Sequence, residues 1–434
     1  MLLAAVPAQV RLPGAPTRGH AVPAPGRCLN ADSLSFLFFL FFSSPAVARL
    51  RLSARAETLG YFSIMIDFSF ETLRNLGLST RMAQALAQQG VHADAAEPAP
   101  AYHWMRVTAV HRETVEVHDG SATHTARCAA RLTRDLHAEA DTLAVGDWVL
   151  CAGEAPAAAS EAPAWWVVQR AVPTNQIVRR DGDGRRHAIV SNVDTALLVM
   201  GLDLDYNLQR LERYLTLVAG CGVMPVVVLT KADVARAHDP AATARRIEQV
   251  RQRVGSRVDV LALDARDGAG VAALQPYLAR GQTLVLLGSS GTGKSTLTNT
   301  LLGWACQDTG GVREHDSRGK HTTTARTLHQ LPGGACLIDT PGVRTLSPDV
   351  DAHTLGQLFD DIATLAHACR FRNCSHQGEP GCAVSAAVDP ARLKNYHKLL
   401  RESKRDSMGV RERRAQLAQW KARSRASRAS RQGA

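Results

Sequence analysis

The sequence has few cysteines for its length, no internal repeat and no hydrophobic run long enough to span a membrane. Nine cysteines among 434 residues are too few for a disulfide-dense secreted scaffold. The apolar run at residues 34–42 is far shorter than the roughly 20 residues that a transmembrane helix needs. With 45% hydrophobic and 21% charged residues, the composition also excludes a collagen-like, wholly disordered or coiled-coil chain. We therefore expect a globular protein of about two to four domains.

The positive charge is concentrated at the C-terminal end of the chain. Residues 392–434 contain 14 Lys or Arg and three Asp or Glu, so this segment alone accounts for the net charge of +11. Lys and Arg clusters gain affinity for phosphate-rich partners by releasing condensed counterions. A solvated helix face or a disordered tail would have the same composition, so charge alone does not decide between these interpretations.

The hydrophobic period changes along the chain and divides it into segments. Residues 65–100 predict a short helical segment and an Ala/Pro-rich linker. Short alternating strands over 101–173 predict a small all-β barrel of the OB type, with strands at 106–110, 114–117, 123–128, 147–151 and 165–170. Strand–helix alternation over 174–350 predicts a doubly wound, mostly parallel α/β domain. Its predicted strands are 195–201, 225–230, 258–263, 283–287 and 335–339, and its helices include 208–219, 242–254 and 294–302.

A phosphate-binding loop follows the fourth of these α/β strands. The eight residues fit G-x-x-x-x-G-K-[ST] in full and precede a predicted helix: Gly288, Ser289, Ser290, Gly291, Thr292, Gly293, Lys294 and Ser295. Backbone N–H groups at the helix start would bind phosphates, with Thr296 also among the candidate nucleotide ligands. Lys294 would contact the β- and γ-phosphates, and the Ser295 hydroxyl would bind Mg²⁺. A chance glycine-rich turn would lack this flanking strand and helix.

Two further motifs indicate which base is bound. Thr230-Lys231-Ala232-Asp233 ends a buried strand and resembles the guanine-reading [N/T]-K-x-D box. The Asp233 carboxylate can accept from guanine N1–H and the N2 amino group, a donor pair that adenine lacks. The same tetrapeptide alone is often an ordinary strand exit. Asp339-Thr340-Pro341-Gly342 resembles the Asp-x-x-Gly element, in which Asp339 supports Mg²⁺ through water and the Gly342 N–H contacts the γ-phosphate.

The order of these motifs indicates a circular permutation. Common GTPases have the phosphate loop first and the guanine box last, whereas here residues 230–233 precede residues 288–295 and Asp339 comes last. A parallel sheet tolerates this rearrangement because domain termini often lie close together.

Residues 318–324 are a candidate for switch I. Thr323 is the favoured Mg²⁺ ligand there, and Thr322 is the alternative. Val343 occupies the position after Gly342 where many GTPases carry a water-orienting Gln, which predicts slow intrinsic hydrolysis. His321 is a candidate catalytic group, and the alternative is that it has a structural or RNA-contacting role.

Three cysteines and a histidine lie within 14 residues of the C-terminal region, residues 351–434. Cys369, Cys374, His376 and Cys382 match a closed, structural tetrahedral Zn²⁺ site, whereas coincidental clustering is the alternative. Beyond them, residues 393–420 predict a basic helical segment and residues 421–431 a disordered tail, both suited to RNA contact.

Taken together, the chain resembles the family of ribosome small-subunit-dependent GTPases called RsgA or YjeQ. The resemblance covers residues 102–400 and rests on the permuted motif order, the loop at 319–324, the zinc-ligand spacing, residues 145–149 and residues 395–397. It implies a circularly permuted GTPase domain between an N-terminal OB-fold and a C-terminal zinc domain. It also implies GTP hydrolysis stimulated by the small ribosomal subunit during late maturation.

The resemblance further implies partners and cofactors. The partners are the small subunit with its 16S-type rRNA, and GTP and GDP. The cofactors are Mg²⁺, bound with GTP, and one structural Zn²⁺. The protein is expected to be a cytoplasmic monomer that binds no membrane. The sequence departs from the family where Asp264-Ala265 replaces a Ser-Ala pair and where Thr230 replaces Asn. We expect a backbone contact from Ala265 to the base to survive the first change.

Two other functions and a leader segment complete the hypotheses. The chain could be an RNA-binding assembly scaffold with little nucleotide turnover, or a P-loop ATPase or kinase.

Residues 1–64 have the outline of a secretory signal, with the run at 34–42 followed by Ala46-Val47-Ala48. Because export would separate a nucleotide-dependent protein from its substrate, we expect a functional chain beginning near Met65, preceded by a disordered leader or gene-start extension.

Overall fold

A computed structural model of the chain describes residues 68–89, 101–154, 164–180, 186–303, 326–340, 347–348 and 350–407. None of the helices in these ranges is both long and apolar enough to cross a bilayer. The first two helices are α1 (Phe70–Arg74) and α2 (Thr80–Gln88). Each begins after a serine, Ser69 or Ser79, whose hydroxyl oxygen accepts a backbone N–H three residues later. Their apolar sides form one cluster with Trp104 and Trp148 of the following region.

Five strands and one helix form a closed barrel. They are β1 (Ala101–Val110), β2 (Val115–His118), β3 (Thr123–Cys128), α3 (Ala130–Ala138), β4 (Trp148–Glu154) and β5 (Ala164–Arg170). The strand order is β1-β2-β3-β5-β4, and β4 pairs back to β1. Only β3 and β5 are parallel among these pairs. The inward residues, such as Val107, Val117, Val149 and Val167, are fully buried. The five predicted strands are confirmed, with shifts of up to five residues at their ends.

A β-hairpin that the hydrophobic period did not predict connects the barrel to the next domain. It consists of β6 (Gln176–Arg180) and β7 (Arg186–Ser191), paired antiparallel. Ile177, Ile189 and Val190 from this hairpin are buried in the same core as the sheet that follows.

A largely parallel sheet forms the central domain. Its elements are β8 (Thr195–Gly201), α4 (Leu208–Ala219), β9 (Met224–Thr230), α5 (Ala232–His238), α6 (Pro240–Val254), β10 (Asp259–Ala262), α7 (Gly268–Val271), a 3-10 helix (Ala272–Tyr277), β11 (Thr283–Leu287), α8 (Lys294–Leu302), β12 (Thr327–Gln330) and β13 (Cys336–Asp339). The order is β10-β9-β8-β11-β13-β12, and only β12 runs antiparallel. Side chains alternate between two apolar cores, one on each face of the sheet. The predicted bounds of β8, β11, α4 and α8 are confirmed to the residue.

The C-terminal region is helical and packs against the central domain. It contains α9 (Ala352–Leu358), α10 (Asp360–Ala366), α11 (Ala383–Ala387) and α12 (Pro390–Ser407), and the short strand β14 (Ser347–Pro348) precedes it. Strand β14 pairs with β6. The predicted basic segment 393–420 is helical as far as Ser407, and the rest of it lies outside the described residues.

The barrel and the central sheet are joined by backbone and by a buried arginine. Ala109 of β1 pairs with Thr327 of β12, which makes the two parts one continuous sheet. The fully buried guanidinium of Arg106 donates to the Thr283 hydroxyl, to the carbonyl of Asn192, and to the carbonyls of Gly146 and Leu76. One side chain thus ties the turn after α1, the barrel and the start of β11 together, which fixes the barrel relative to the sheet.

Candidate nucleotide site and metal centre

The carboxyl ends of the parallel strands meet at one edge of the sheet, and the phosphate loop, the predicted guanine box and Asp339 lie there. Thr230 ends β9, Asp339 ends β13, and the loop 288–295 follows β11 between them. Two further loops, after β8 and β10, lie at the same edge. In open parallel sheets, ligands bind at the carboxyl ends of the strands. The topology therefore brings together segments that are up to 109 residues apart in sequence, from Thr230 to Asp339.

The loop 288–295 has the backbone shape that an anion cradle requires. Gly291 and Gly293 have positive φ angles of 81° and 90°, which favour glycine, and Gly293 immediately precedes α8. A Cβ at Gly288 would lie 2.5 Å from the Val199 carbonyl oxygen, so only glycine fits between the loop and β8. The first turn of α8 thus offers its free N–H groups and the positive end of its dipole to an anion.

Lys294 is buried beneath this loop. Its ammonium group donates to the carbonyls of Gly288 and Ser289 at 2.9 and 2.7 Å. Burial lowers the pKa of Lys294 to about 8, while Asp339 and Asp205 oppose the shift. The side chain is therefore a cation held in a desolvated position, and an anionic ligand in the loop would favour its charged form.

Oxygen ligands suited to a hard cation lie next to Lys294. Asp339 is buried and lies in register with Leu286 of β11, and Ser295 lies in the first turn of α8. A hydroxyl and a carboxylate are the donor types that Mg²⁺ prefers. The other predicted residues of this part, His321, Thr322, Thr323 and Gly342, lie outside the described residues.

The first two residues of the predicted guanine box hold it against the phosphate loop. The Thr230 hydroxyl, which is buried, donates to the Thr292 carbonyl at 2.6 Å. Lys231 adopts a left-handed conformation and donates to the Gly291 carbonyl at 2.8 Å and to Asp203 at 2.6 Å. Thr230 therefore bonds to the phosphate loop although it replaces the Asn of the family pattern.

The Asp233 carboxylate, which is predicted to read guanine, has an internal partner. Asp233 Oδ2 lies 2.5 Å from Nη2 of Arg266, whose Nε is also 3.2 Å from Asp264 Oδ1. No described residue bonds to the buried Oδ1 of Asp233. The loop that carries Arg266 is fixed to α8, because the Thr300 hydroxyl donates to the Ala265 carbonyl at 2.6 Å. Asp233 and the loop of Ala265 thus lie close together, but the Arg266 cation between the Asp233 and Asp264 carboxylates was not foreseen.

The loop after β8 adds two residues that the motif search missed. Asp205 accepts from the Ser289 hydroxyl at 2.6 Å and forms an ion pair with Arg210, and burial raises the pKa of Asp205. Asp203 binds Lys231, as described above. Two acidic residues directly after a predicted parallel strand were the available signal, since that position lies at the ligand-binding edge.

The four predicted zinc ligands converge in the C-terminal region. The ligand atoms of Cys369, Cys374, His376 and Cys382 all lie within 4.8 Å of one another. His376 Nδ1 is 3.6 Å from Cys369 Sγ and 3.5 Å from Cys382 Sγ, and these two sulfurs are 3.9 Å apart. Tetrahedral bonds of about 2.3 Å to sulfur and 2.0–2.1 Å to nitrogen imply ligand separations of roughly 3.6–3.8 Å. The ligand atoms of Cys369, His376 and Cys382 are already close to these separations, so the four residues could hold a zinc ion.

Helix α12 connects this cluster to the central domain. His397 Nε2 lies 3.3 Å from the His376 carbonyl, and Asn395 donates to the carboxylate of Glu212 on α4. Arg392 bonds to Glu212 on one side and to Asp361 of α10 on the other. The predicted motif at 395–397 thus attaches the Cys/His cluster to the central domain.

Comparison with known proteins gives consistent matches. The sequence model described as RsgA GTPase matches residues 171–348. A protein of Xanthomonas oryzae pv. oryzae (strain PXO99A), named small ribosomal subunit biogenesis GTPase RsgA, is 48% identical over 265 residues, which are 59% of this chain and 68% of the relative. A protein of the same name from Xanthomonas axonopodis pv. citri (strain 306) is 46% identical over 268 residues, covering 60% of this chain and 69% of the relative.

A solved structure, that of YjeQ from Thermotoga maritima, is similar with a TM-score of 0.47 and 21% identity; it covers 70% of this chain and 98% of that one. The sequence identity over two thirds of the Xanthomonas relatives is the finding that decides the assignment. The chain belongs to the RsgA GTPase family.

Proposed function

We propose that this chain hydrolyses GTP to GDP and phosphate and acts in the biogenesis of the small ribosomal subunit. The observation that carries the proposal is the 2.6 Å hydrogen bond from Thr230 to Thr292, which joins the base-reading and phosphate-binding segments into one site. The names of the relatives support the role in small-subunit biogenesis.

The described residues suggest how the site would work. Gly288 to Thr296 would bind the phosphates, and Lys294 would neutralise charge on the β- and γ-phosphates. Ser295 and Asp339 would hold Mg²⁺, which supplies further charge neutralisation when bound. Asp233 would read guanine, while Lys231 and the Ala265 backbone line its pocket. In this proposal Thr323 or Thr322 completes the Mg²⁺ ligands and the Gly342 N–H contacts the γ-phosphate.

We further propose that hydrolysis is slow until the ribosomal subunit assists it. Val343 cannot orient an attacking water, and His321 is the candidate within this chain for that task. The scaffold alternative predicts no stimulation, so the two hypotheses differ in one measurable rate.

The flanking regions would contact RNA. We propose that the barrel, within residues 101–173, is an OB-fold, that residues 174–350 form the GTPase domain, and that residues 351–434 form a zinc-binding domain. The strand order, the parallel β3–β5 pair and the helix between β3 and β4 support the OB assignment. The small subunit with its 16S-type rRNA would be the partner of a cytoplasmic monomer, bound in part by the basic segment 392–434.

Base recognition is tested by changing one hydrogen-bonding group of Asp233. Asp233→Asn replaces an acceptor oxygen with an N–H donor, which suits the C2 carbonyl of xanthine and not the amino group of guanine. We expect wild-type protein to bind GDP far more tightly than ADP or xanthosine diphosphate, measured by calorimetry. The variant should lose affinity for GDP and gain it for xanthosine diphosphate. Equal affinity of the wild type for ADP and GDP would contradict the proposal.

Turnover is tested with purified small ribosomal subunits. We expect multiple-turnover GTP hydrolysis to be slow alone and faster with subunits, and Lys294→Ala to abolish both rates. We also expect the protein to co-sediment with subunits in a non-hydrolysable GTP analogue and to be released in GDP. Hydrolysis that subunits leave unchanged would favour the scaffold instead.

A further inference from the structure

Arg266 presents to Asp233 the kind of donor group that guanine would present. Guanine offers a carboxylate two N–H donors in one plane, and a guanidinium group is also a planar set of N–H donors. In the structure Arg266 Nη2 lies 2.5 Å from Asp233 Oδ2, so one oxygen of the carboxylate is already occupied. A base that pairs with both oxygens of Asp233 would therefore share Oδ2 with Arg266 or, where both donors approach the same lone pair, displace it.

A second carboxylate holds Arg266 when the contact breaks. Asp264 Oδ1 lies 3.2 Å from Arg266 Nε and Asp264 Oδ2 lies 3.3 Å from Nη2. Asp264 also accepts the Arg266 backbone N–H at 2.9 Å, and pairing with Arg266 lowers the pKa of Asp264. Leaving Asp233 would cost Arg266 only part of its ion pairing.

The movement requires only a side chain. The backbone on the N-terminal side of Arg266 is held by the bond from Thr300 to the Ala265 carbonyl. The Arg266 side chain is 65% exposed, so it can turn toward solvent without disturbing packing. Asp233 is less exposed, at 34%, and its buried Oδ1 lacks a hydrogen-bond partner among the described residues. A second donor would therefore improve the environment of this carboxylate.

From this geometry we propose that Arg266 is an internal competitor for the guanine base: it occupies Asp233 in the empty site and is displaced onto Asp264 when a nucleotide enters. The proposal rests on the proposed function, since it takes guanine as the base that Asp233 reads. If only the fraction of molecules with a released Arg266 binds, the pairing reduces the apparent association rate constant to that fraction of its intrinsic value. The dissociation rate, which is set after Arg266 has left, stays unchanged.

The test is stopped-flow binding of a fluorescent GDP analogue to the full-length chain. Arg266→Ala should raise the association rate constant by about two- to fivefold, the range of an exposed ion pair, and leave the dissociation rate constant unchanged. Added KCl should bring the wild-type association rate closer to that of the variant, because salt screens the pair. Arg257→Ala removes the same charge from an exposed position before β10, at the opposite edge of the sheet, and should have no such effect.

Asp264→Asn separates competition from a general effect of charge. It keeps an oxygen for the Arg266 backbone N–H but weakens the alternative ion pair, so association should slow. In the Arg266→Ala background the same change should have no effect. An unchanged association rate in Arg266→Ala, or faster dissociation, would overturn the proposal, since the latter would make Arg266 a contact of the bound base. If the wild type bound no guanine nucleotide at all, the proposed function itself would fail.

Discussion

Glu212 is the buried acidic residue on which the attachment of the C-terminal region should depend. Its side chain is 4% exposed and accepts from Arg392 at 2.5 Å, from Arg253 at 2.9 Å and from Asn395 at 2.5 Å. Glu212→Gln keeps the volume and removes the charge, so two arginines lose a buried partner. The same two helices, α4 and α12, share a second ion pair between Arg213 and Glu402, which allows a matched comparison.

The expected loss of free energy in each variant follows from how deeply the ion pair is buried. Removing one partner of a buried ion pair costs about 3–5 kcal/mol, because it leaves an uncompensated charge. Arg392 keeps Asp361, so we expect the low end, about 3 kcal/mol. The side chains of Arg213 and Glu402 are 18% and 19% exposed, and Glu402→Gln should cost less than about 1 kcal/mol.

Native-state hydrogen exchange of α12 measures this difference directly. A loss of 3 kcal/mol in the free energy of opening corresponds to roughly 150-fold faster exchange, whereas the Glu402→Gln variant should exchange less than about sixfold faster. Equal effects of the two variants would refute the reasoning, because burial would then not set the strength of the pair.

Three further predictions concern the nucleotide loop and the metal cluster. Burial lowers the pKa of Lys294 to about 8, and a bound phosphate would raise this pKa. Nucleotide affinity should therefore be constant below pH 8 and fall by up to tenfold per pH unit above it, as measured by binding titrations between pH 7 and 9. Cys382→Ser should reduce the zinc content measured after denaturation and lower the melting temperature, whereas Cys221→Ser, outside the cluster, should leave the zinc content unchanged. Gly288→Ala should lower the free energy of unfolding by about 1–3 kcal/mol in urea titrations and weaken nucleotide binding, because its methyl group would lie 2.5 Å from the Val199 carbonyl oxygen.

The parts of the fold that the sequence predicted are those with a local signal. Strands β8 and β11 are uninterrupted apolar runs, and α8 begins at a recognisable glycine-rich loop, so their bounds could be read from the chain. The β6–β7 hairpin lacked such a signal, because its buried face is completed by residues of the central domain. Its strands are short and rich in arginine, a pattern that is typical of a surface loop.

The site residues divide in the same way. The phosphate loop, the predicted guanine box and the predicted zinc ligands have fixed spacings, as expected of segments whose atoms would contact one ligand. Arg266 and Arg106 carry no such pattern: each contacts a partner that is distant in sequence, Asp233 for Arg266 and, 177 residues away, Thr283 for Arg106. Such contacts depend on tertiary packing, which no local sequence signal marks.

The shared strand pairing of β1 and β12, reinforced by Arg106, has a consequence for how a large partner would be engaged. A module on a flexible tether searches for its second contact and tolerates variable spacing, at an entropic cost. Here the distance and the angle between the barrel surface and the sheet edge that carries the candidate nucleotide site are fixed. An assembling target whose two contact surfaces are not yet at that distance would be bound at one of them only, so the rigid body itself would discriminate finished from unfinished geometry.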